Sequence, residues 1–238
     1  MNGLTDDYIH DNLMGPNAVL LARELCGAID DGTADPRLAN ARRICDLGCG
    51  AGISSMWLAQ GFPGHVWGCD LWNTEEENAT RFSALGFADR ITAVQADALE
   101  LPFPDGYFDA LVSIDSYNYF GREEGAIDRV ARYMQPGAPL LIAVPGLKHD
   151  LTDADMKIYG LSWTREQMEY LCTVEWWAEL LGRSDAVRID SIGEMDCFDV
   201  AWSEWLTCDN EYAMGDRAAM EAGAGDLMNL IAIKLMRL

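Results

Sequence analysis

The stretch Ile44-Cys45-Asp46-Leu47-Gly48-Cys49-Gly50-Ala51-Gly52-Ile53 decides the fold. An apolar run closes on an acid, three glycines alternate, and a helix-compatible run follows. That order reads as a buried strand, a tight turn and a helix start. The glycines let the backbone turn sharply and approach a ligand. The helix behind them aims its amides and its positive end at the same place. Asp46, at the end of the strand, can accept from a cationic or amino-bearing group. Asp70 closes a second strand just before Leu71, where it can take both hydroxyls of a ribose. Dinucleotide-binding turns carry Gly-x-Gly-x-x-Gly. Here the spacing is Gly48-x-Gly50-x-Gly52, and Ile53 stands where the last glycine would be.

Outward from the turn, strand and helix patterns alternate, the signature of a parallel sheet with crossover helices. Strands are predicted at Arg43–Leu47, His65–Asp70, Ile91–Gln95, Phe108–Ile114, Pro139–Val144, Val187–Ile192 and Leu227–Met236. Phe108–Ile114 is apolar except at Asp109 and Ser113, as in a strand buried on both faces. Helices are expected from Ile53, from an Asn73 cap, across 123–134, and near 198–206 and 210–222. Residues 1–15 read as an irregular, mobile arm, followed by a helix before residue 40. Residues 145–183 read as helical pieces without strands, Thr164 and Gln167 forming a capping box. The whole chain reads as one domain, 1–238.

Asp46-Leu47-Gly48-Cys49-Gly50-Ala51-Gly52, followed by Asp70 and then Asp97-Ala98, resembles the class I S-adenosylmethionine (SAM)-dependent methyltransferases of the small-molecule, cyclopropane-synthase-like group. The resemblance implies a doubly wound, seven-stranded, mostly parallel α/β sheet whose last strand is antiparallel. It implies a helical cap at 145–183 and SAM as cofactor, with S-adenosylhomocysteine as product. Gly48, Cys49, Gly50 and Gly52 would hold the amino acid end of SAM. Asp70 and Leu71 would meet the ribose, Asp97 and Ala98 the adenine, and Ser113 the amino group. Asp46 and Asp70 have a plainer use as caps of the following helices, and Asp97 as the cap of a turn ahead of Leu99.

Ser113-Ile114-Asp115-Ser116-Tyr117-Asn118-Tyr119-Phe120 follows the fourth strand, where this fold faces the transferred methyl group. It resembles a Ser-Ile-Gly-Ala-Phe-Glu-His-Phe segment of cyclopropane fatty acid synthases, with Asn118 for the Glu and Tyr119 for the His. It also resembles phosphoethanolamine methyltransferases, which carry an Asp at the position of Asp115 and a His at that of Tyr119. Asp115 and Tyr119 are therefore the candidate catalytic residues, against the plainer roles of a helix cap and a core aromatic. Trp72 is placed to lie against the adenine. Trp163, Trp176, Trp177, Trp202 and Trp205 are candidates for pocket or core, and His149 for a pocket base or a surface residue.

The net charge is −22, from 39 acidic and 17 basic residues. Phosphate backbones and anionic membranes call for the opposite sign, so neither nucleic acid nor membrane is an expected partner. The acidic balance favours a neutral or cationic small-molecule acceptor. The seven cysteines form no CxxC pair, and the three histidines have no metal spacing. No disulfide framework and no metal are expected. The polar, acidic N-terminus lacks a secretory pattern, so a cytoplasmic protein is expected. The exposed insertion offers a surface for a homodimer.

Overall fold

The computed structural model describes residues 3–238; Met1 and Asn2 lie outside the described residues. Its sheet is built from β1 (Arg43–Leu47), β2 (His65–Asp70), β3 (Ile91–Gln95), β4 (Ala110–Ile114), β5 (Pro139–Leu147), β6 (Cys172–Thr173), β7 (Val187–Glu194) and β8 (Met228–Arg237). The strand order is β3-β2-β1-β4-β5-β8-β7, with β6 paired to the end of β5. The pairs from β3 across to β5 are parallel. β8 runs antiparallel to both of its neighbours, as expected of the last strand.

The central parallel strands form because their side chains are mostly apolar and buried on both faces. Every residue of β4 is buried, and helices cover both sides. On one face Leu21, Leu25, Met56, Leu58 and Phe82 pack from helices Ala18–Cys26, Ile53–Gly61 and Glu75–Ala84. On the other, Tyr117, Ile127, Val130, Trp177 and Leu181 pack from helices Tyr117–Phe120, Ala126–Ala131 and Val174–Leu181. β1 is flanked by β2 and β4. Successive crossovers therefore leave β1 in opposite directions and open a crevice at the carboxyl ends of β1 and β4.

A third core lies above those strand ends. Ile9, Leu13, Tyr159, Met168, Trp202, Trp205 and Ala213 join the arm to the cap. Here the structure corrects three expectations. The arm is not irregular: Thr5 accepts from the Tyr8 amide and caps a helix, Asp6–Asp11, whose first turn carries Asp6 and Asp7. Asn73 does not cap the helix that follows it. Thr74 and Glu77 form a capping box, while the Asn73 side chain turns back to Asp70. The 145–183 segment is not free of strand. β5 runs on to Leu147, and Gly146–Leu147 pairs with Cys172–Thr173. No helix among the described residues is long and apolar enough to cross a membrane.

Candidate active site

The glycine turn leaves β1 with Gly48, Gly50 and Gly52 all at positive φ. A side chain on Gly52 would overlap the Phe82 ring, so this glycine is required by helix packing. The amide of Gly50 donates to Asp70 Oδ2 at 2.9 Å. Asp70 Oδ1 accepts from the amides of Trp72 at 2.9 Å and Asn73 at 2.7 Å, and from Asn73 Nδ2 at 3.1 Å. Asp70 is thus the brace of the turn as well as a wall of the crevice, and not a carboxylate standing free for a diol.

Asp46 is fully buried and has no solvent exposure. Its Oδ2 accepts from Ser54 Oγ and Ser55 Oγ, each at 2.6 Å, and its Oδ1 has no partner. Burial pushes its carboxyl up to about 6, against the pull of the two hydroxyls. Ser113 is also fully buried; its hydroxyl donates to Leu47 O at 2.8 Å and meets Ser116 Oγ at 3.0 Å. Asp46 and Ser113 therefore lie beneath the crevice and do not line it. Cys49 is buried, its thiol pushed well up by burial.

Three adjoining cavities occupy the crevice. The largest, about 510 Å³, is lined by Gly48, Asp70, Leu71, Trp72, Asp97, Ala98 and Tyr119, among others. Asp97 Oδ1 accepts from the Leu99 amide at 2.8 Å, the turn-capping role anticipated for it, and Asp97 also borders this cavity. A second cavity, about 140 Å³, lies between the glycine turn and the arm. Met14 from the arm crosses the turn there, its Sδ 3.0 Å from where a Gly50 side chain would begin. A third, about 250 Å³, lies under the cap, with Asp115, Tyr119, Trp163, Trp202, Trp205 and Asp216 on its wall. No Lys, Arg or His lines it.

Asp115 borders the second and third cavities, and Tyr119 borders all three. Asp115 is a non-glycine residue at positive φ, 53°. Burial and the Asp216 carboxylate push its carboxyl up to about 7. Gly15 lies against it so closely that a side chain there would overlap Asp115 Oδ2. Tyr119 is half exposed, its ring 5.9 Å from Trp72 and 5.1 Å from Tyr170. Burial, then Asp115, Tyr170 and Asp216, push its phenol up to about 12.

Trp72 borders the first two cavities and is largely exposed. Trp177 packs in the sheet core instead, and neither it nor Trp176 lines a cavity of the crevice. His149 is exposed beside Asp150 O and lines none of the three. Sequence reasoning missed Asp216, which accepts from Trp163 Nε1 at 2.6 Å and Trp205 Nε1 at 2.8 Å. Nothing local in the sequence marks it. No group of three metal-ligating side chains exists among the described residues.

Residues 45–142 match a family model described as "Methyltransferase domain". A probable chloroplastic tocopherol O-methyltransferase of Oryza sativa subsp. japonica is 28% identical over 166 residues, 68% of this chain and 45% of that protein. A fatty-acid O-methyltransferase of Mycolicibacterium smegmatis is 32% identical over 126 residues, 51% of this chain and 43% of that protein. The chain spans half the length or less of the curated relatives it matches. Among solved structures, Haemonchus contortus phosphoethanolamine N-methyltransferase 2 in complex with S-adenosyl-L-methionine superposes with a TM-score of 0.72. It is 21% identical and covers 98% of this chain and 57% of that one, a likeness of fold.

Proposed function

From the premise that the chain carries a methyltransferase domain, we propose that it transfers a methyl group from SAM to a small-molecule amine. The residues bordering the first two cavities suit SAM. The glycine turn borders the smaller space, where a side chain at Gly50 would crowd Met14, and Asp70, Leu71, Trp72, Asp97 and Ala98 border the larger space beside it. Bound there, SAM supplies a methyl group already activated on a sulfonium. The protein has then to exclude water, align the nucleophile and receive a proton.

The observation that carries the reading is the shared position of Asp115 and Tyr119. Asp115 belongs to both the turn cavity and the cap cavity, so it lies where the two would exchange a methyl group. Its positive φ is a conformation that side chains adopt at a cost, and such residues cluster at functional sites. A carboxyl raised to about 7 is matched to accepting a proton from an ammonium near neutral pH. Tyr119, raised to about 12, stays protonated and serves as a hydrogen-bond donor. Two carboxylates and no basic residue in the cap cavity favour a cationic acceptor over a carboxylate or phosphate ester.

Thermal-shift measurements with SAM, S-adenosylhomocysteine and NAD(P) test the cofactor. Stabilisation by the first two supports the reading, and stabilisation by NAD(P) alone overturns it. Tritiated-methyl transfer to a panel of amines, alcohols and carboxylic acids tests the acceptor class, and labelling of acids in preference to amines would overturn it.

A further inference from the structure

Proton transfer accounts for Asp115 but leaves the second carboxylate of the cap cavity unused. Asp216 stands on helix Glu211–Glu221, and each of its oxygens accepts one indole N–H, from Trp163 and from Trp205. An indole N–H can only donate, so the pair favours the ionised carboxylate and fixes its plane. Burial pulls the other way and raises the carboxyl. Each oxygen keeps acceptor capacity, because a carboxylate has about four lone-pair sites and two are used.

Around Asp216 the cavity wall is aromatic: Tyr119, Trp163, Tyr170, Trp202, Trp205 and Tyr212. Two further polar atoms belong to residues of this wall and have no partner, Asn118 Oδ1 and Trp202 Nε1. Their residues are 2% and 6% exposed. Both atoms are themselves buried, so they stand behind the cavity surface, and the polar group of this wall turned to the aromatic cluster is Asp216. A partly buried anion held by two indole edges in an aromatic-lined cavity is suited to a compact organic cation, which the carboxylate attracts and aromatic walls accommodate.

We propose that Asp216, held by Trp163 and Trp205, is the specificity-determining residue of the acceptor site, selecting an alkylammonium group over a neutral group of the same shape. The assignment rests on the amine reading above. It separates two roles: Asp115 receives the proton, and Asp216 chooses the molecule.

Choline and 3,3-dimethylbutan-1-ol test this directly, since they share a shape and differ in charge. Both are titrated by calorimetry into the full chain loaded with S-adenosylhomocysteine. The wild-type protein is expected to bind choline at least about tenfold more tightly than the alcohol. Asp216→Asn is expected to abolish that preference while leaving S-adenosylhomocysteine affinity unchanged, which also reports that the variant is folded. Trp163→Phe, which removes one of the two indole donors, is expected to reduce the preference in part and serves should Asp216→Asn fail to fold. In turnover with amines above about pH 8, Asp115 is ionised with or without the Asp216 charge. There Asp216→Asn is expected to raise KM with little change in kcat, and Asp216→Glu to restore part of the loss.

Equal affinities in the wild type, no binding of choline, or a preference that survives in Asp216→Asn overturns the proposal. If the preference survives while amines are still methylated, the Asp216 assignment fails and the amine reading stands. If wild-type protein methylates acids or alcohols but no amine, the amine reading itself fails.

Discussion

Asp46 and Asp115 are carboxyls whose surroundings favour the protonated form, and each has a measurable consequence. Asp46 has a folded value of about 6 against an ordinary 3.8. Between those values the native state holds the proton longer than the unfolded chain, so its contribution to stability falls as pH rises through this window and is flat above it. The shift corresponds to about 3 kcal/mol. Asp115, raised to about 7, adds a fall of the same sign. Chemical denaturation of the ligand-free protein at pH 4, 5, 6 and 7 is therefore expected to show a fall that Asp46→Asn lessens by its own share and that the further change Asp115→Asn lessens again. Asp115, raised to about 7, has to be ionised to accept a proton. Methyl transfer, read as kcat/KM, is expected to rise through about pH 7, and Asp115→Asn to lower kcat by roughly 10²-fold or more without changing SAM affinity. Neither environment is written in the residues next to these acids. Asp46 owes its raised value to full burial, and Asp115 to burial and then to Asp216, far along the chain.

Elements differ in how plainly the sequence announces them. β1, β2 and β3 have the predicted bounds, because strands in a covered parallel sheet are short apolar runs between strong turn signals. The cap and the arm were less legible, because their structure depends on partners distant in sequence. β6 is two residues that become a strand only where the tail of β5 reaches them. The Asp216 pairing with Trp163 spans 53 residues. The arm helix did carry a local signal in Thr5-Asp6-Asp7, but its docking does not: His10 meets Thr207 at 3.0 Å, and Asn17 donates to Glu204. The arm's place in the site gives a test. Gly15→Ala would displace the Asp115 carboxylate, which is free to rotate where backbone is not. Methyl transfer is expected to fall about tenfold or more, while the melting temperature moves little. A fall in melting temperature without loss of activity would count against the contact.

At the scale of the whole molecule, the net charge of −22 makes a field that reaches beyond any one contact. It draws cations towards the crevice and works against the compact state through self-repulsion. Both effects are screened by salt. Raising NaCl from about 0.05 to 0.5 M is expected to raise the melting temperature and to lower kcat/KM for a cationic acceptor, leaving a neutral one unaffected. The two sides of the crevice are also fastened differently. The rim of the cap is stitched into the sheet, since Gly146–Leu147 pairs with β6 on one side and β8 on the other. Backbone bonds there open only with the sheet itself, whereas the arm is held by side-chain contacts, His10 to Thr207 and Cys208 to the His10 carbonyl, and by Ile9 and Leu13 in the third core. Local opening is therefore expected at the arm before the cap rim. On the proposed function, the rim would then set which molecule fits, and the arm how often molecules come and go. Choice and tempo can therefore drift apart over evolutionary time, each through its own set of substitutions.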